Sequence, residues 1–214
     1  MNNRNKWSLI INVLLVIFGG VGLYLALDEG NIFTFYTNDA NILSLVASLL
    51  FVIYMLIKKD VGELPYFVLL LRYFATTCLA LTFAVIFYLA STYDGNYFQG
   101  LLFYLTNKSF LFFHLLCPIL AVVSFTLFEG DRRLNKKKTI SLALLPTVLY
   151  AVVLVILNMT SKVAGPYPFL MVNRNTPLIS IIWAVAILVV TYVLARFILL
   201  YNQKHSPRRK RKEA

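Results

Sequence analysis

The chain has 214 residues, of which 60% are hydrophobic and 14% charged, with a mean hydropathy of +0.76 and a formal net charge of +11. A water-soluble domain of this size carries more charge and shorter apolar runs, so the composition points to a polytopic membrane protein without a separate soluble domain. Membrane β-strands are excluded as well, because they alternate in polarity and are about half as long as the runs found here.

In chain order the apolar runs cover 7–27, 33–57, 66–89, 110–128, 140–157 and 178–201. Each is near the roughly 20 residues that cross a hydrocarbon core of about 30 Å. The expected fold is all-α, with six transmembrane helices forming one domain over 1–203 and a basic tail over 204–214. The first run is too long for a signal-peptide core, and no small-residue cleavage site follows it, so it is expected to be retained.

Arg4, Lys6, Lys58, Lys59, Arg132, Arg133, Lys136, Lys137 and Lys138 fall on one side of this arrangement, together with the tail. The tail adds Lys204, Arg208, Arg209, Lys210, Arg211 and Lys212, whereas the other side holds Lys108, Lys162 and Arg174. The positive-inside rule then places both termini in the cytoplasm, and the expected location is the cell membrane. The tail reads as a solvated topogenic run that also touches anionic lipid. It has no interleaved aromatics to stack bases, so nucleic acid is not an expected partner. Cys78 and Cys117 both lie inside runs and offer neither a disulfide framework nor metal-ligand spacing. No metal or cofactor is expected.

The polar residues inside the apolar runs carry the functional signal. The second run holds Thr34, Thr37, Asn41, Ser44 and Ser48, at spacings of 3, 4, 3 and 4. On a helix these share one narrow face, which belongs toward the bundle interior rather than lipid. Packing and interhelical hydrogen bonds account for hydroxyls there, but the Asn41 amide requires several partners. Asp39 sits off the stripe and faces the outer interface or reaches toward the fourth run. Arg72 lies two turns into the third run, where Glu129 is its expected structural ion-pair partner and snorkelling its accommodation.

His114 is the only histidine within a run, about six residues or roughly 9 Å below the outer end. An ionisable group at that depth is costly, and imidazole is suited to acid–base work near neutral pH. Pro118, one turn on, is expected to kink the helix. The stretch "AGPYPFLMVNRN" at 164–175 cannot be regular helix because of Pro166 and Pro168. Its Tyr167 and Phe169 suit either a lid folded over the bundle or an interfacial aromatic anchor. Counted from Lys58, Thr37 stands about 31 Å above the inner edge, and counted from Glu129, His114 stands about 22 Å above it. That count places His114 nearer Asn41 than Thr37.

Three of these stretches together resemble the androgen-induced-gene-like family of six-helix membrane proteins in its bacterial form. "FTFYTNDANILSL" is similar to that family's Phe-x-x-(Tyr/Phe)-Thr-x-x-x-Asn-x-Leu start of helix 2. "FHLLCPIL" is similar to its His-x-x-x-Pro helix, and "GPYPFL" to its Tyr-Pro-Phe-Leu loop. Animal members hydrolyse fatty acid esters of hydroxy fatty acids with a membrane-embedded threonine and histidine. The resemblance implies Thr37 as nucleophile and His114 as its base. It departs at Ser124 and Met171, where bacterial relatives tend to carry an acid.

The expected function is therefore an intramembrane hydrolase of lipid-like esters near the outer leaflet. Thr37 and His114 would react, with Asn41 and Asp39 as oxyanion or orienting groups. Thr34, Ser44, Tyr167, Pro168 and Phe169 would form the pocket or lid. The alternative is a non-catalytic membrane protein that binds a lipid or small molecule, or supports a membrane partner. Membrane lipids are the expected partners in both readings.

Overall fold

The computed structural model describes residues 1–27, 32–134, 137–167 and 170–206. Six helices in it are long and apolar enough to cross a membrane. They are α1 (Asn3–Leu27), α2 (Tyr36–Lys58), α3 (Tyr66–Ser91), α5 (Lys108–Phe128), α6 (Lys137–Met159) and α7 (Pro177–Lys204). A shorter helix, α4 (Tyr97–Thr106), joins α3 to α5. No strand occurs among the described residues. The protein is an all-α, multi-pass membrane protein.

Successive membrane helices run antiparallel, so the ends of the chain return to one end of the bundle, here the tail end. Arg4 donates there to the carbonyls of Phe128 and Gly130 at 2.8 and 2.6 Å. Asn202 Nδ2 donates to the Phe125 carbonyl at 2.7 Å, and Gln203 to that of Asp131 at 2.8 Å. The bonds to Phe125 and Phe128 satisfy carbonyls in the last turn of α5, and those to Gly130 and Asp131 hold the connection that follows it. The opposite end, here the site end, carries α4 and the segment between α6 and α7.

In lipid, apolar burial does not hold helices together, so packing and interhelical hydrogen bonds must do so. The bundle meets this with a core of α1, α2, α3 and α5. Small residues allow close approach: a Cβ on Gly22 would lie 2.4 Å from Phe113 Cε1. The inward face of α2 is the expected polar stripe, with Asn41, Ser44 and Ser48 all buried. Thr34 does not belong to that helical face. Phe35 is extended at φ −100° and ψ 127°, so α2 starts at Tyr36 and Thr34 sits in the preceding turn.

The Arg72–Glu129 pair joins these helices in the tail half of the core. Arg72 Nε donates to Glu129 Oε2 at 3.0 Å and an Nη to Oε1 at 2.9 Å. The other Nη donates to Ser48 Oγ at 3.0 Å. Asn12 Nδ2 and Ser124 Oγ donate to the same carboxylate at 2.8 and 2.6 Å. Four helices thus meet at one neutralised charge pair. Arg72 is fully buried, which corrects the expectation of snorkelling: with all its nitrogens bonded internally, the guanidinium has no need to reach water.

Glu129 therefore does not lie level with Lys58, and this overturns the depth count. It is tied through Arg72 to Ser48, ten residues or about 15 Å into α2 from Lys58. Thr37 stands 11 residues or about 16 Å beyond Ser48, while His114 stands 15 residues beyond Glu129. Measured from this common level, His114 reaches the start of α2.

Pro118 acts through the helix ladder. It lacks the N–H that would bond the His114 carbonyl. The ladder widens to i→i+5 pairing over Leu111–Leu116, where Cys117 N–H donates to the Phe112 carbonyl. A second widened turn covers Ser124–Phe128. His114 thus sits inside a local π-helical turn, a departure found often at functional sites.

Candidate functional site

Thr37 is in the first turn of α2, and the start of that helix brings its hydroxyl to α5. Thr37 Oγ1 and His114 Nε2 are 3.2 Å apart. The other ring nitrogen, Nδ1, is 3.0 Å from the Tyr104 carbonyl. A carbonyl only accepts, so Nδ1 carries the proton and Nε2 presents its lone pair to the Thr37 hydroxyl. The hydroxyl donates to the imidazole, and the imidazole donates to the backbone.

Tyr104 belongs to the last turn of α4, whose final carbonyls have no partner within the helix. The negative end of the α4 dipole therefore points at the imidazole and favours positive charge developing there. Two features place α4 for this. Lys108 takes φ +40° and turns the chain sharply into α5. Gly100 packs against α3 so closely that a Cβ would lie 2.7 Å from the Ala90 carbonyl oxygen. The rings of Tyr104 and Phe110 flank the His114 ring at 6.2 and 5.1 Å. His114 is 4% exposed.

Asn41 lies one turn along α2 and binds backbone. Its Nδ2 donates to the Thr37 carbonyl at 2.8 Å and, at 3.5 Å, to that of Phe113. It braces the two segments that present Thr37 and His114. Asp39 is half-buried and makes no hydrogen bond to His114 among the described residues. Thr34 contributes its carbonyl, which accepts from the Tyr150 hydroxyl at 2.8 Å. Ser44 is buried beyond Asn41, away from the cavity described next.

The pair opens onto a cavity of about 470 Å³ between α3, α6 and α7. Tyr36, Thr37, His114, Thr147 and Tyr167 provide polar groups along one side, and the rest is largely Leu, Val, Ile and Ala. Tyr36 and Thr147 hydroxyls are 2.8 Å apart and tie α2 to α6. The segment between α6 and α7 folds back over the site end. Asn173 holds it to the end of α6, donating to the Asn158 carbonyl at 2.6 Å. Tyr167 is buried and lines the cavity, its ring 6.2 Å from that of Phe35. Burial pushes its phenol above the ordinary range, while hydrogen bonding to Thr37 opposes the shift. Tyr167 thus remains a donor at neutral pH. Pro168 and Phe169, the other expected lid residues, lie outside the described residues, as do Lys136 and tail residues 207–214.

α4 and the Tyr104 carbonyl were not foreseen from sequence. The available signal was Asn96 ahead of "YFQGLLFYLT": its side chain accepts from Gln99 N–H at 2.9 Å as an N-cap. Cys78 and Cys117 are buried free thiols. No protein-family model, curated protein or solved structure matches the chain.

Proposed function

We propose that the protein is an intramembrane hydrolase of lipid-like esters that uses Thr37 as nucleophile and His114 as general base. The contact between the Thr37 hydroxyl and the unprotonated His114 nitrogen, with Tyr104 holding the ring, carries this reading. A threonine hydroxyl is a weak nucleophile without a base, and 3.2 Å is within the reach that proton transfer requires. Thr37 Oγ1 would bond to the ester carbonyl carbon as its proton passes to His114 Nε2. Loss of the alcohol, which takes that proton, leaves an acyl-threonine. Water activated by the same nitrogen then releases the acid and restores Thr37. The Tyr167 hydroxyl, hydrogen-bonded beside Thr37, would supply a donor to the developing oxyanion. Asn41 serves as a brace, since its amide already binds two carbonyls.

The resemblance to the androgen-induced-gene-like family supports the same pair of residues. The charge asymmetry supports cytoplasmic termini in a cell membrane, with the site toward the outer leaflet. Reporter fusions that fluoresce only in the cytoplasm or act only outside it would test that orientation.

The chemistry is tested by labelling the purified protein with a lipid-like fluorophosphonate. Thr37→Ala and His114→Ala, each checked for a cooperative melt, should lose the label that wild type acquires. A well-folded wild type that acquires none, or a Thr37→Ala variant that keeps it, would overturn the assignment. A second reading, a lipid-binding protein without turnover, is favoured by the commitment of the Asn41 amide to backbone; it predicts ligand retention without labelling.

A further inference from the structure

The cavity has a side door. α6 is broken at Ala143 and Leu144, just ahead of Pro146, whose missing N–H cannot continue the ladder. The piece before the break, Lys137–Leu142, packs on α7. The piece after it, Leu145–Met159, has no comparable packing on α7. Val152 on one wall and Ile181 on the other line the cavity, yet are 51% and 60% exposed. The cavity therefore opens sideways between α6 and α7, toward lipid.

The shape of this opening selects what can pass. On α7 the lining runs from Ser180 to Leu188, or about 12 Å of helix, all in the half nearer the site end. Thr37 and His114 sit at the polar side of the space, and most of its remaining wall is Leu, Val, Ile and Ala. A lipid in the leaflet at the site end already has its ester near the interface and its chain toward the centre. It could slide in without inverting. At the site end, Tyr167, Leu170 and Val172 of the folded-back segment line the cavity. Among the described residues lining it there is no Lys, Arg, Asp or Glu to receive a phosphate or ammonium group. Burying such a group unpaired would be strongly unfavourable.

We infer that the cleft between α6 and α7 is the access route and binding site for a lipid with one acyl chain and an uncharged headgroup, drawn laterally from the leaflet at the site end. The inference rests on the proposed hydrolase only for the position of the ester. The occupant's class follows from the largely apolar walls, a volume of about 470 Å³ that suits a single chain, and the missing charge among the described lining residues.

Two probes test it on the full chain in lipid nanodiscs. One is an alkylglycerol ether with a diazirine in its chain, and the other is the matching lysophosphatidylcholine ether; neither carries an ester to cleave. The alkylglycerol should photolabel residues of α6 and α7 that line the cavity, and the phospholipid should not. Ala184→Trp and Ala151→Phe fill the cleft from opposite walls, and each folded variant should lose the label. Ile182→Ala, on the exposed face of α7 and outside the cavity lining, should keep it. Equal labelling by both probes, or labelling undiminished in both filled variants, would overturn the inference. Site-specific labelling beside a failed fluorophosphonate reaction would sink the hydrolase alone. Fluorophosphonate reaction beside absent cleft labelling would sink the lateral route alone.

Discussion

Helices α3 and α7 have similar lengths but opposite surroundings. Some 56% of the most apolar stretch of α3 is buried, against 11% for α7. Around α3 the bundle is close-packed and holds its charges in bonded pairs. Around α7 the surface is ordinary Ile and Val facing lipid, with a cleft on one side. Precision and access are thus assigned to different helices. The Thr37–His114 pair hangs from the close-packed half, and the apolar space it faces is shared with the sparsely packed half.

The sharpest way to break this contrast is at the buried charge pair. Glu129→Gln should destabilise the protein by about 3–5 kcal/mol, because it leaves Arg72 buried without its counter-charge. The drop should appear in thermal unfolding of the detergent-purified protein. Arg72→Met combined with Glu129→Leu should recover most of the loss, since apolar replacement of both partners removes the desolvation cost. Next comes Gly100→Val, which pushes α4 from α3 and moves the Tyr104 carbonyl. Misplacement on the order of 1 Å costs up to about 100-fold in rate, so fluorophosphonate labelling should slow greatly, alongside an overpacking loss of about 1–3 kcal/mol in the melt. Gly22→Ala intrudes on Phe113 beside the histidine and should cost about 1–3 kcal/mol by overpacking. Ile182→Ala on the exposed face of α7 should stay within about 0.5 kcal/mol. A large loss there would mean that α7 packs against something other than lipid.

The contrast also explains what the sequence disclosed. All six membrane helices were legible, because a run of about 20 apolar residues is a long and redundant signal. His114 stood out because an imidazole is unusual inside such a run, and the family resemblance singled out Thr37 from the other hydroxyls of its stripe. Their proximity was not legible: it depends on where Glu129 sits, and the Arg72 side chain sets that level. α4 was hidden by its ten residues, too few to cross a membrane. The cleft was hidden more thoroughly. Its walls are the same valines, isoleucines and alanines that face lipid elsewhere, and only the break before Pro146 marks where two helices part.

The carbonyl of Tyr104 has a consequence for genetics. It belongs to the peptide linkage, so every residue placed at 104 brings the same oxygen, proline included. A saturation scan of side chains would score this position by its ring alone and pass over the group that sets the histidine's tautomer. Only chemical synthesis reaches it directly. An ester in place of the amide between Tyr104 and Leu105 would weaken the acceptor while leaving every side chain as encoded.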